Sequence, residues 1–364
     1  MSDVRSFTVA PDDDGIRLDR WFRRHLPEAS FNIVSRWART GQLRVDGKRA
    51  SPGDRIEAGQ TIRVPPAEPP AAPRPKAERP ALSEDEIAFV NEIVIHRDAQ
   101  AIVVNKPSGL ATQGGTKTKQ HLDGLLDGLA NERGERPKLV HRLDKDTSGV
   151  LLLARTARAA AFFSKAFSGR TARKVYWALV VGVPEIRDGY VDLPLAKQPG
   201  TGGEKMHVDE SEDGLPARTR YRVVDRAGNR AAWVELQPLT GRTHQLRVHM
   251  AAIGHPIVGD GKYGGQEAFL TGAISRKLHL HARRLRIDHP DGGRIDVSAE
   301  LPEHFQGTLA GLGFDPADGD LPLDEVKFGE TPEGKRRAAT AAAKARRKER
   351  KGERRNRGSR GNGG

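Results

Sequence analysis

The segment from His141 to Gly149 reads His-Arg-Leu-Asp-Lys-Asp-Thr-Ser-Gly and separates two apolar runs. Leu139-Val140 precedes it and Val150-Leu151-Leu152-Leu153 follows. An apolar run bounded by turn residues predicts a strand covered on both faces. The polar cluster therefore stands where the chain passes between two buried elements, and a scaffold at both ends can hold such a loop still. Asp144 is the candidate reactive residue, because Arg142, Lys145 and Asp146 crowd an unusual charge density around it at the mouth of a core strand. An ordinary solvated turn is the plain alternative, since most charged residues are simply exposed. A kinase catalytic loop, His-Arg-Asp with a later Asn, is another. That one fails: Leu143 intervenes before Asp144, Gly149 stands in place of the Asn, and no glycine-rich nucleotide loop precedes.

The 364 residues have room for two or three domains. No apolar run approaches the ~20 residues that span a bilayer. Met1 to Pro11 lacks the basic start and apolar stretch of a secretory signal. The absence of cysteine excludes disulfides, thiolate nucleophiles and cysteine-ligated zinc. It suits a reducing, cytoplasmic setting. A net charge of +13 points to a polyanionic partner. That charge is uneven: Lys335 to Gly364 holds 13 Lys or Arg against 2 Glu, which is +11 and leaves +2 for the rest.

Four regions are expected: 1–64, a linker 65–82, a main domain 83–314 and a tail 315–364. In the first, Leu18, Trp21, Phe22 and Leu26 follow helical spacing, and Pro27 is a stop. Ile33, Val34 and Trp37 form a second apolar face, with Gly41 at its end. Asp46-Gly47 marks a hairpin. Arg36, Arg39, Arg44 and Lys48 crowd this helix–helix–hairpin stretch, either as solvated faces or as RNA contacts. The linker is rich in Pro, Ala, Glu, Arg and Lys, a composition for an extended segment. The tail is too polar to bury a core, and disorder with nonspecific RNA affinity is expected.

In the main domain, Glu92–His96 and Ala101–Val104 read as short strands. Asn105-Lys106-Pro107-Ser108-Gly109 and Gln113-Gly114-Gly115 make a glycine-containing loop without Walker spacing. Leu122, Leu125, Leu126 and Leu129 form a core stripe, and Ala157–Phe167 a helix with Phe162, Phe163 and Phe167 inward. Arg173 to Val180 alternates as a strand, and its Tyr176 is either a core aromatic or a site residue. Residues 200–216 are expected to be a mobile loop. In Gly241 to His249, Thr243 is the expected helix N-cap, with Leu246, Met250 and Ile253 inward. Arg247 is placed to reach a buried carboxylate bidentately, and Arg242 to meet a phosphate. His244, His249, His255, His279 and His281 raise a metal hypothesis, but 244 to 249 is not a helical ligand spacing and no Cys is available. No metal is expected.

His141-Arg142-Leu143-Asp144 with Thr147-Ser148-Gly149 resembles the signature of the pseudouridine synthases that act on large-subunit ribosomal RNA and related RNAs. Asn105-Lys106-Pro107-x-Gly109, Lys174-x-Tyr176-x-Ala178, His244-Gln245-Leu246-Arg247 and Gly259-Asp260-x-Lys262-Tyr263-Gly264 are similar to further motifs of that family. Residues 17–21 and 41–48 resemble the S4 RNA-binding domain that many members carry at the N-terminus.

The resemblance implies an α+β fold, with a mixed, largely antiparallel-sheet catalytic domain after a small S4 domain. It implies isomerisation of uridine to pseudouridine in 23S ribosomal RNA, without cofactor or metal. Asp144 is then the nucleophile, Arg247 its ion-pair partner, Tyr176 the ring stacked on the target base and Leu280 an aliphatic contact to it. Arg142, Arg242, Arg36, Arg39, Arg44 and Lys48 are the implied RNA contacts. A cytoplasmic monomer with RNA as partner is expected. A noncatalytic S4-type RNA-binding or ribosome-assembly factor, or the same chemistry on tRNA, remains open from sequence.

Overall fold

Residues 5–66, 81–114, 120–198 and 205–320 are described by the computed structural model. The chain divides into two units between Pro80 and Ala81.

The first unit builds β1 (Arg5–Thr8), α1 (Leu18–His25), α2 (Phe31–Arg39), β2 (Arg44–Val45), β3 (Lys48–Arg49) and β4 (Thr61–Val64). Its sheet runs β1-β4-β2-β3, and every pairing in it is antiparallel. Leu18, Trp21, Phe22, Val34 and Trp37 bury one face of each helix against the sheet residues Ile62 and Val64. Asp46 and Gly47 both hold positive φ, 49° and 76°, the type I′ geometry that matches the twist of a two-residue hairpin. Strand β1, outside the expected helix–helix–hairpin core, completes the sheet. Arg36, Arg39 and Lys48 stand exposed, while Arg44 turns back to donate to the carbonyl of Gly47 at 2.7 Å.

The second unit opens with α3 (Glu84–Glu92), a helix the sequence reading did not expect; the strand read over Glu92–His96 follows it at Val94–Arg97. A capping box starts this helix: Ser83 Oγ accepts the Glu86 N–H, and the Glu86 carboxylate accepts the Ser83 N–H. Leu82, assigned to the linker, packs into the core beside it; residues 67–80 of that linker lie outside the described residues.

In chain order follow β5 (Val94–Arg97), β6 (Ala101–Lys106), α4 (Leu122–Leu125), β7 (Lys138–Leu139), β8 (Ser148–Ala154), α5 (Ala157–Ser168), β9 (Arg173–Val181) and β10 (Asp188–Asp192). Then come β11 (Leu195–Lys197), β12 (Met206–Val208), β13 (Arg218–Ala227), β14 (Ala231–Pro238), α6 (Gln245–Ala252), β15 (Leu280–Asp288), β16 (Arg294–Ser298) and α7 (Glu303–Gly311).

The main sheet runs β10-β13-β14-β9-β15-β8-β6-β5, with β16 on β15 and β7 on β8. Its ladders are antiparallel except that between β8 and β15, so the fold is the expected mixed, largely antiparallel α+β class. All seven residues of β8 are buried, as its uninterrupted apolar run requires. Each of its leucines contributes about 1.5–3 kcal/mol by leaving water. The parallel junction pairs Ser148 with His281 and Gly149 with Ala282. Gly149 sits there at φ 109°, and a Cβ on it would stand 2.2 Å from the Ala282 carbonyl oxygen. Only glycine lets the two backbones approach this closely.

Three expectations need correction. Phe162 is exposed, because adjacent helical residues lie about 100° apart and Phe163 takes the inward position. Within the expected loop 200–216, Met206–Val208 is a strand paired with Leu195–Lys197, and Met206 is buried; residues 199–204 lie outside the described residues. Order does not fade at Asp315. Pro316–Gly319 is a 3₁₀ turn capped by Asp315, Gly319 abuts Trp177 and Trp233, and Asp320 pairs with Arg283. The basic run 321–364 lies outside the described residues. Among those described, no helix is long and apolar enough to cross a membrane.

Candidate active site

Asp144 stands in the loop between β7 and β8, and that loop is fastened to the segment after β6. Thr112 Oγ1 donates to the Leu143 carbonyl at 2.7 Å and accepts the Leu143 N–H at 3.1 Å. Ser108 Oγ donates to the Asp146 carbonyl, and the Gly109 N–H to that of Lys145. Lys106, fully buried, donates from Nζ to the carbonyls of Pro107, Leu110 and Lys145 at 2.9, 2.7 and 3.1 Å. Burial pushes its ammonium down to about 7, with Asp146 and then Asp144 opposing. Three carbonyls form a full set for three ammonium hydrogens, so the bonding favours the charged form.

His141, at the start of the motif, is an anchor. Its Nε2 accepts the Leu152 N–H at 2.9 Å, and its ring stacks on Phe167 at 4.2 Å. Burial, and then the charge of Lys174, push it down to about 3. At the far end of the motif, Ser148 Oγ meets His281 Nδ1 at 2.9 Å, and His281 Nε2 donates to the Ala299 carbonyl. These bonds lock the parallel junction directly after the loop.

The Asp144 carboxylate is partly open, with 21% of the side chain exposed. Two clefts share Arg142, Leu143, Asp144, His244 and Arg247 among their walls. One, about 410 Å³, continues along Tyr176, Lys174, Leu280, Arg242 and the end of α5. Such a volume lies within the range that encloses a small molecule. The other, about 860 Å³, runs past Ser108–Gly109, Gln113–Gly114, Lys262, Arg276 and Lys277.

Arg247 and Asp144 are brought together, but not in the bidentate pair expected. Arg247 Nη1 is 3.6 Å from Asp144 Oδ2. Its Nε and Nη2 donate to the two oxygens of Asp260 at 2.8 Å each. Asp260 is the buried carboxylate, 1% exposed, and so takes the fork. Burial works against the guanidinium's charge, yet the bonds and charge of Asp260, then the charge of Asp144, hold its pKa above the usual value. The motif Gly259-Asp260-x-Lys262-Tyr263 was visible in sequence; that its Asp faces Arg247 was not.

The helix carrying Arg247 begins at His244, not at the expected Thr243. His244 holds φ 52°, left-handed and uncommon for a non-glycine residue. Its Nδ1 lies 2.6 Å from Tyr263 Oη, and its Nε2 3.7 Å from Asp144 Oδ2. Gln245 secures the turn: it accepts from Thr240 Oγ1 and the Arg242 N–H and donates to the Arg218 carbonyl and Thr219 Oγ1. Arg242 donates from Nε to the Pro216 carbonyl at the cleft rim.

Tyr176 is on β9 opposite Ala282. Burial first, and then the charge of Asp144, hold its phenol well above the ordinary range, so it stays neutral. Leu280 is buried and lines the same cleft. Arg142 is exposed on the loop. Arg36, Arg39, Arg44 and Lys48 belong to the first unit. Among the described residues no group of three or more His, Asp or Glu is placed to hold a metal ion. The histidines of that hypothesis are used separately: His249 on Thr219 and Leu193, His255 on Val181, His279 on Thr308.

The model of the RNA pseudouridylate synthase family matches residues 100–252, from the start of β6 through α6. The chain is 36% identical over 298 residues to the ribosomal large subunit pseudouridine synthase C of Salmonella typhimurium, covering 80% of this chain and 91% of that protein. It is 36% identical over 316 residues to the protein of that name from Escherichia coli, covering 85% and 97%. The solved structure of human RNA pseudouridylate synthase domain containing 4 superposes with a TM-score of 0.54 at 31% identity, covering 63% of this chain and 97% of that one. Coverage of this extent, with the motifs assembled around one carboxylate, makes the chain a member of the RNA pseudouridylate synthase family.

Proposed function

We propose that this enzyme converts uridine to pseudouridine in large-subunit ribosomal RNA, with Asp144 as nucleophile. The observation that carries the mechanism is the position of Asp144: a half-open carboxylate on a loop fixed from both sides, between two clefts and facing Arg247. The isomerisation breaks the N1–C1′ bond, turns the base and joins C5 to C1′. The C5 proton leaves, N1 gains one, and no electrons or phosphoryl groups are exchanged, so the reaction calls for no cofactor. A uridine in a helix must first be flipped out, at a cost of a few kcal/mol that contacts to the RNA backbone offset. Tyr176 and Leu280 would form the walls against the extruded base, and Arg142 and Arg242 the rim against its strand. The phenol of Tyr176, held neutral, presents a ring face rather than a second anion beside Asp144.

The large-subunit substrate rests on the relatives' names, and the first unit supports it as an S4-type RNA-binding domain with Arg36, Arg39, Arg44 and Lys48 as contacts. The basic tail adds sequence-independent affinity. A cytoplasmic monomer acting on RNA is consistent with this reading.

Asp144→Asn is expected to abolish tritium release from C5-labelled uridine in RNA while leaving RNA affinity nearly intact. Undiminished turnover would remove Asp144 from the chemistry. Mapping pseudouridines in RNA from a deletion strain separates the substrates. A site lost from large-subunit RNA supports the proposal, a site lost from tRNA moves the chemistry there, and no lost site leaves a binding factor.

A further inference from the structure

Lys174 is a cation that the chemistry above does not use. On β9 it shares a face with Tyr176, two residues on, while Val175 and Trp177 point into the opposite core. It lines the cleft of Asp144, whose walls also include Ser164, Phe167 and Ser168, and its charge acts on His141. Among the described residues no carboxylate pairs with it. Its titratable neighbour His141 is a neutral imidazole that accepts the Leu152 N–H at Nε2, so it offers no counter-charge. Burial holds the Lys174 pKa below the usual value, and no opposite charge offsets that effect. The cleft wall carries Arg142, Lys174, Arg242 and Arg247 against the single carboxylate of Asp144, and Arg247 is already committed to Asp260. A half-buried ammonium without a counter-charge is unfavourable unless a ligand brings one.

We infer that Lys174, with the hydroxyl of Ser164, binds one backbone phosphate of the RNA beside the flipped uridine. The inference rests on the RNA pseudouridine synthase reading. A phosphate suits the place better than a base carbonyl, because it supplies a full negative charge and several acceptor oxygens. A neutral carbonyl would leave the ammonium's desolvation largely uncompensated. The site gives the strand a fixed point on the wall that carries Tyr176, so it contributes to retention of the RNA rather than to the chemical step at Asp144.

The test compares full-length wild type, Lys174→Gln and Lys174→Arg on one RNA that carries the modified site. RNA affinity is measured across a salt series, and single-turnover tritium release at saturating RNA. Lys174→Gln is expected to weaken binding about tenfold or more. It should also flatten the slope of log affinity against log salt by about 0.7–0.9, the share of one phosphate. Lys174→Arg should restore the slope. The saturated rate should stay within about twofold of wild type, and thermal stability should not fall, since an unpaired buried charge is removed. An unchanged affinity and slope overturns the inference. So does a collapsed saturated rate with an unchanged slope, which would put the amine at the reacting base. Wild type that binds RNA but releases no tritium overturns the enzymatic reading instead, and the salt slope still reads the phosphate site.

Discussion

Asp260→Asn tests how Arg247 is held. The variant keeps the shape of the side chain and removes its charge, so no cavity confuses the result. Arg247 is 9% exposed and Asp260 1%, and two bonds of 2.8 Å join them. Opposite charges about 4 Å apart attract by about 4 kcal/mol at an effective dielectric of 20. Breaking a buried pair by removing one partner costs about 3–5 kcal/mol, which agrees. For a unit of this size, with about 2–4 °C per kcal/mol, the melting temperature should fall by about 6–20 °C. Catalysis should suffer separately. With Asp260 neutral, the guanidinium is free to swing onto Asp144, 3.6 Å away, and to tie up the carboxylate proposed as nucleophile. A displacement near 1 Å can cost about a hundredfold in rate. Single-turnover tritium release well below the melting temperature should therefore drop about a hundredfold at saturating RNA, with RNA affinity little changed. A folded variant with wild-type rate would show that Asp260 is only a structural anchor. Wild-type melting as well would show that the pair does not hold Arg247 at all.

Two further outcomes follow from buried groups. Gly149→Ala should cost about 2–6 kcal/mol, combining a backbone conformation that disfavours side chains with the clash against Ala282; soluble yield and denaturant midpoint report it, and a wild-type midpoint would mean that β8 and β15 separate without penalty. His141, His249, His279 and His281 are pushed below their ordinary value, chiefly by burial, to about 3, 4, 4 and 3. Their folded values are depressed, so below about pH 6.5 the unfolded chain takes up protons that the native chain does not, and stability falls as pH falls. Each histidine contributes up to about 1.4 kcal/mol per pH unit, or roughly 8 kcal/mol for the four by pH 5. Asp98 and Asp296, held below the usual carboxylate range, lose their contribution only under about pH 4. Denaturant midpoints that stay level from pH 6.5 to 5 would contradict this.

Features set by local pattern were legible in the sequence. The Val150–Leu153 run gave β8, Asp46-Gly47 the hairpin and Leu246, Met250 and Ile253 the inner face of α6, because each depends on spacing of 2 or 3.6 or on one turn's φ. Asp144, Tyr176, Arg247 and Leu280 were legible as a set through motifs, and all four line one cleft. What stayed hidden depends on side-chain direction across the fold. Spacing placed Arg247 where it could meet a carboxylate but could not choose between Asp144 and Asp260, thirteen residues downstream. The helix start at His244 was missed because Thr243 fits the usual cap preference, whereas the left-handed turn is imposed by Gln245 and its four bonds. The α3 capping box at Ser83 and Glu86 was readable and was overshadowed by the proline-rich run before it.

The geometry also explains how one carboxylate is held in place without being neutralised. Tyr263 Oη accepts the Met206 N–H, which leaves its own proton for His244 Nδ1 at 2.6 Å. That assignment puts the imidazole hydrogen on Nε2, facing Asp144; the other tautomer would face a lone pair toward a carboxylate. Arg247, turned by Asp260, offers Nη1 from the other element. Both donors stop at 3.6–3.7 Å from Oδ2, outside the distance of a formed hydrogen bond. A closer approach would stabilise the free carboxylate and weaken it in the proposed role of nucleophile. A more distant one would leave the charge unsupported when the glycosidic bond opens. Asp260 and Tyr263 both lie on the turn that follows Gly259, so one short segment sets the direction of both donors. Substitutions there should alter the rate of the chemical step before they alter RNA binding.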